Sequence, residues 1–174
     1  MTRQELAKAI YDAAYITGEF KLRSGITSNE YFDKYQFESI PSILNQIGKH
    51  FLNILPEGFD ILAGLEMGGI PIATSISLLT DKIQILVRKT AKDYGTCKFA
   101  EGPNISGKKL LIVEDVVTSG GQIIKSIAEL REAGAIITQA ICVIDREQGG
   151  KEALLNHGIE LIPLFTMSEL KASK

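Results

Sequence analysis

The feature that most limits how this chain can fold is a short apolar run that ends in acid. Leu110, Leu111, Ile112 and Val113 read as a buried strand, Glu114 and Asp115 close it, and Thr118, Ser119, Gly120 and Gly121 open an amphipathic helix. Neighbouring strand residues point to opposite faces, so two adjacent acids at a strand end cannot both be routine surface charges beside a sheet. Burying them demands partners such as hydroxyls or a cation. The turn that follows supplies backbone N–H groups, two hydroxyls and a helix N-terminus, a set that favours a phosphate. Acids able to grip vicinal hydroxyls, next to a phosphate cradle, describe a site for a ribose 5-phosphate. The plainer alternative is a strand-to-helix turn with a capping Ser119 and a solvated acidic pair. The chain has neither the P-loop pattern nor a G-x-G-x-x-G after a strand.

The rest of the pattern sets the fold class. Thr2 and Glu5 form a capping-box signal for a helix ending near Gly18, with Leu6, Ile10, Ala13 and Ala14 on one face. A second helix is expected over 41–55, with Pro41 in its first turn and Leu44, Ile47, Phe51 and Leu55 as its stripe. Strands at 61–65, 83–88, 109–114, 136–145 and 160–163 then alternate with helices at 68–79, 122–133 and 151–157. Thr166 and Glu169 repeat the capping box for a terminal helix. Such alternation predicts one α/β domain spanning residues 1–174, with a central, mostly parallel sheet flanked by helices. Ligands of such sheets bind at the carboxyl ends of the strands. Three polar segments leave strands there: 66–69, 114–122 and 145–150.

Composition narrows the partners. A net charge of −2, with 23% charged residues, argues against nucleic acid as a main partner. No apolar stretch approaches the ~20 residues that span a bilayer, and the N-terminus lacks an apolar signal segment. Cys142 lies inside an apolar strand and reads as a core residue, whereas Cys97 lies in a polar loop. No paired cysteine motif is present, and a reducing cytoplasm is the expected compartment.

Residues 110–122 closely resemble the signature of the type I phosphoribosyltransferases, which bind phosphoribosyl diphosphate (PRPP). The resemblance implies that family's fold, with a small N-terminal hood over about 1–40 and a PRPP-binding core over about 58–165. It implies that Glu114 and Asp115 hold the ribose hydroxyls, and that Val116, Val117, Thr118, Ser119, Gly120, Gly121 and Gln122 form the loop around the 5-phosphate. The loop containing Glu66, Met67, Gly68 and Gly69 corresponds to the family's diphosphate loop, which often carries a non-proline cis peptide; one is expected at Glu66–Met67. Many relatives have a Tyr-Lys pair where this chain has Met67 and Gly68, so backbone is expected to supply more of the grip.

Three further segments resemble the orotate-specific branch. Phe20, Leu22, Ser24 and Gly25 precede the aromatic pair Tyr31 and Phe32, which in that branch contact orotate; Arg23 stands where a PRPP-touching lysine is usual. Arg88, Lys89, Lys92, Asp93, Tyr94 and Gly95 match its catalytic loop, within a long polar segment over 89–107. On that likeness Arg88, Lys89, Lys92 and Tyr94 bind PRPP, Lys92 is the leading catalytic residue, and Asp93 organises the loop or shuttles a proton. Arg146 corresponds to the arginine that pairs with the orotate carboxylate, a partner suited to a planar guanidinium, with Thr118 also on the orotate side.

The implied reaction joins orotate to PRPP, giving orotidine 5-phosphate and diphosphate with Mg²⁺ carried mainly by PRPP. A homodimer that shares the catalytic loop is the implied assembly. Two alternatives stay open: a phosphoribosyltransferase for another nucleobase, and a regulator that keeps the fold to sense PRPP. His50 and His157 read as structural.

Overall fold

The computed structural model describes residues 1–21, 25, 27–90 and 99–174. A helix α1 (Arg3–Ala14) leads into a two-stranded antiparallel hairpin, β1 (Tyr15–Lys21) and β2 (Thr27–Phe32). A short helix α2 (Lys34–Glu38) and a longer α3 (Pro41–Phe51) follow. The core sheet then builds from β3 (Ile61–Leu65), α4 (Gly69–Thr80), β4 (Gln84–Val87), β5 (Ala100–Glu101), β6 (Lys109–Val117), α5 (Gly121–Glu132), β7 (Ile136–Asp145), α6 (Gly150–Leu155) and β8 (Glu160–Thr166). Helix α7 (Met167–Ala172) ends the chain's regular structure. Among the described residues the sheet has six strands in the order β5-β4-β3-β6-β7-β8, parallel throughout except for the edge pair β4–β5.

Both capping boxes form, at Thr2 with Glu5 and at Thr166 with Glu169. The first helix stops at Ala14 and not near Gly18, because the chain turns at Tyr15 into the hairpin. The helix starting at Pro41 stops at Phe51, short of Leu55. The polar stretch after β4 is interrupted by β5, which covers the sheet edge.

Strand alternation divides the core into two layers. On one face Leu62, Leu111 and Val113 pack with Leu6 and Ile10 of α1, Phe37 of α2, Phe51 of α3 and Ile72 of α4. On the other, Ile61, Ala63 and Ile112 pack with Ile123 and Ile127 of α5 and Leu154 of α6. Cys142 is fully buried in that second layer. Among the described residues no helix is long and apolar enough to cross a membrane.

Candidate active site

Strand β6 runs through the acidic doublet and continues to Val117, its pairing with β7 extending to Asp145. The doublet therefore lies within the strand, not at its last residue, and the two acids are sent to opposite faces. Glu114 is half-buried and lines a cavity of about 180 Å³ with Val116, Val117, Thr118, Ser119, Gly120, Gly121, Gln122 and Ile123. Burial first, then the charge of Asp115, raises the Glu114 carboxyl well above its ordinary range. The floor of that cavity is the start of α5, whose N-cap Gly120 adopts φ 80 and offers no side-chain cap. First-turn N–H groups left without a side-chain partner are what an anion binds at a helix N-terminus.

Asp115 is 0% exposed. Its Oδ1 accepts from the Val116 N–H at 2.5 Å, and its Oδ2 lies 2.5 Å from the Nζ of Lys34. It faces the turn between β3 and α4, where the Glu66–Met67 peptide is cis, as the sequence predicted. Gly68 touches it closely: a Cβ there would stand 1.8 Å from Asp115 Oδ2. Only a residue without a side chain fits between that turn and the buried acid. Met67 points outward, 60% exposed.

The three polar segments at the strand ends do converge. The Arg146 N–H donates to the Val117 carbonyl at 2.9 Å. A Cβ on Gly150 would lie 2.4 Å from the Thr118 carbonyl oxygen. The loop carrying Arg146 is fixed from two sides. Asp145 Oδ1 accepts from the Glu147 N–H at 2.9 Å, and Glu147 Oε2 accepts from the N–H and hydroxyl of Ser168 at 2.9 and 2.6 Å.

Beside the phosphate turn, a second cavity of about 270 Å³ brings Tyr31, Phe32 and Arg146 together with Tyr11, Tyr15, Ser28, Glu30, Met167 and Lys171. The Nε of Arg146 is buried without a hydrogen-bond partner among the described residues, a donor that costs free energy until an acceptor arrives. Phe20 and Tyr31 are in ring contact at 5.5 Å on the hairpin, and Phe32 packs against the first core layer. Glu30 is engaged by the Tyr15 hydroxyl, which donates to it.

The cationic segment is only partly in view. Arg88 Nε pairs with Glu101 at 3.2 Å, and the Lys89 N–H donates to Glu66 Oε2 at 2.8 Å, which joins the start of the loop to the cis turn. Arg23, Lys92, Asp93 and Tyr94 lie outside the described residues. His50 and His157 bond to backbone carbonyl oxygens of Met1 and Ala153, which suits structural roles.

Sequence reasoning missed Lys34 and Glu38, because α2 is too short to show a helical period. The Asp33 N-cap, which accepts from the Tyr35 N–H at 3.2 Å, was the available signal. Lys171 and Met167 were also missed, since only the folded chain brings the last helix to the aromatic cavity.

The profile of the Phosphoribosyl transferase domain family matches residues 35–156. An orotate phosphoribosyltransferase of Nocardioides sp. is 45% identical over 169 residues, covering 97% of this chain and 94% of its own length. The orotate phosphoribosyltransferase of Methanocaldococcus jannaschii is 41% identical over 157 residues, covering 90% of this chain and 89% of its own. Among solved structures, Mycobacterium tuberculosis orotate phosphoribosyltransferase in complex with Fe(III) dicitrate superposes with a TM-score of 0.87 at 25% identity, covering 97% of this chain and 98% of that one.

Proposed function

The chain belongs to the phosphoribosyltransferase family, and on that premise we propose that it transfers the phosphoribosyl group of PRPP to orotate, giving orotidine 5-phosphate and diphosphate in pyrimidine biosynthesis. The observation that carries the choice of orotate is Arg146. Arg146 lines a cavity with Tyr31 and Phe32, and its Nε has no hydrogen-bond partner among the described residues, so a flat ring bearing a carboxylate meets both aromatic surface and a guanidinium donor there.

The division of labour follows from the two cavities. The turn from Thr118 to Gln122 and the N-terminus of α5 hold the 5-phosphate, and the acidic doublet holds the ribose hydroxyls, with Glu114 as the member that faces the cavity. The cis turn with Met67 and Gly68 takes the diphosphate through its backbone. Thr118 lies between the sugar and the base. Arg88, Lys89 and Lys92, with Arg23 from the hood, neutralise the diphosphate as it leaves, Lys92 foremost; Tyr94 binds PRPP through its hydroxyl, and Asp93 organises the loop. Bond breaking builds positive charge on the sugar and negative charge on the leaving group, so fixed cations at the leaving group are the main source of rate.

Magnesium fits this site as a companion of the substrate. Mg²⁺ is commonly held by one or two carboxylates together with substrate phosphates, and Glu114 is the carboxylate on the cavity wall. When bound it supplies further neutralisation of the diphosphate. A homodimer is the assembly we favour. Leu78 at 82%, Ile83 at 57% and Leu86 at 39% exposure leave apolar surface on α4 and at β4 that a second copy would cover.

The test is a spectrophotometric assay of orotate consumption with PRPP and magnesium, with uracil, hypoxanthine and adenine run beside it. Turnover of orotate alone is expected. Turnover of a purine in preference to orotate would refute the assignment, and no turnover with any base would favour a PRPP-sensing role.

A further inference from the structure

Lys34 and Glu38 belong to none of the motifs above, yet they meet beneath the centre of the site. Asp33 starts α2 and the fully buried Phe37 roots it in the core, so that single turn delivers both side chains to the face of β6 from which Asp115 emerges. Lys34 Nζ stands 2.5 Å from Asp115 Oδ2, with a third of the lysine side chain still exposed. Burial alone pulls the lysine's pKa down, but the charge of Asp115 and a hydrogen bond to it outweigh that and leave it raised.

Glu38 crowds the same point. A Cβ on Gly68 would lie 1.8 Å from Asp115 Oδ2 and 2.7 Å from Glu38 Oε1, so both carboxyl groups fill the space a side chain would need on the diphosphate turn. Glu38 Oε1 is buried with no hydrogen-bond partner among the described residues. Glu114 lies one residue away along the strand, and its charge also acts on Lys34. Two carboxyl groups, Asp115 and Glu38, thus crowd the point where the one ammonium sits, and Glu114 acts on it from the other side of the strand. Without that cation the fully buried Asp115 is left without its charge partner, and the strand and turn lose their common anchor.

We infer that Lys34 is a positioning residue for PRPP, its ammonium holding Asp115 against the Gly68 turn so that the acidic doublet and the diphosphate turn keep one geometry. The inference rests on the site reading given above. It distinguishes charge from bulk, since an apolar side chain of similar length fills the space but leaves the acids unpaired.

The experiment is steady-state kinetics of the full chain with orotate and magnesium PRPP. Lys34→Met is expected to raise KM for PRPP by about tenfold or more, the effect of losing a charged hydrogen-bond partner. KM for orotate, bound at the separate Arg146 cavity, is expected to stay within about twofold. Lys34→Arg keeps the charge and is expected to restore most of the PRPP affinity. Lys34→Gln carries the same expectation as Lys34→Met and takes its place if the methionine variant does not fold. A wild-type KM for PRPP in the uncharged variants overturns the inference. So does equal loss in the uncharged variants and Lys34→Arg, which would mark packing alone. Calorimetric titration of the unmodified protein with magnesium PRPP separates the two levels: absence of binding there removes the site reading itself, whatever Lys34 does.

Discussion

Replacing Glu38 with glutamine keeps the shape of the side chain and removes its titration. In the folded protein burial, followed by the charge and hydrogen bonding of Asp115, pushes the Glu38 carboxyl from its ordinary 4.5 up to about 8. The native state therefore holds a proton that the unfolded chain releases. The resulting stabilisation is fully present below the unfolded value near 4.5 and is lost as pH rises through about 8. With one pKa unit worth about 1.4 kcal/mol, the loss attributable to this group between pH 6 and pH 8 comes to about 2 kcal/mol. In a chain of this size that lowers the melting temperature by about 4–8 °C. Glu114 is raised as well, so the wild-type slope contains more than one contribution, and the difference between the two proteins reports what Glu38 adds, together with its coupling to the neighbouring acids. Thermal unfolding followed by circular dichroism across that range is the assay. Glu38→Gln is expected to become the relatively more stable protein as pH rises. Melting curves for the two proteins that stay parallel from pH 6 to pH 8 would refute the reasoning.

Other sites give equally direct expectations. Arg146→Ala should raise KM for orotate by about ten- to a hundredfold, the usual scale for a lost charged hydrogen bond, and leave KM for PRPP unchanged; parallel losses for both substrates would contradict its role. Gly68→Ala forces a methyl group onto Asp115 and should destabilise by about 1–3 kcal/mol, with PRPP affinity falling alongside in calorimetric titration. Lys92→Ala should lower turnover by about 10²–10³ while weakening PRPP binding far less, as single-turnover and binding measurements would reveal. Leu78→Lys places charge on the exposed apolar face of α4 and should shift the protein to monomer in light scattering, with turnover falling if the loop is shared.

The sheet was legible because each core strand is a compact apolar run between turn residues, and those runs survive as β3, β6 and β7 with bounds close to those read from the sequence. Periodicity could not show that β6 continues past its acids, since Val116 and Val117 follow a charged pair that looks like a strand end. Pairing with the longer β7 carries the strand on. The site's parts were legible wherever glycine, acid and hydroxyl fell in one short segment. They were illegible where the partner came from elsewhere in the chain. Lys34 lies far from Asp115 in sequence, and Lys171 reaches the aromatic cavity from the last helix. Such encounters follow from topology, which no local pattern encodes.

The stem formed by β4 and β5 has a further consequence. The Arg88 N–H donates to the Phe99 carbonyl at 2.8 Å, and Val87 pairs with Ala100, so the two ends of the intervening stretch are stitched together at the margin of the sheet. Ring closure for that stretch is thereby satisfied by the framework. Each doubling of its length adds only about 0.6 kcal/mol of entropy. Segments of other lengths or chemistry can therefore be grafted between those anchors, and the reactivity of the enzyme altered, with the scaffold left as it stands.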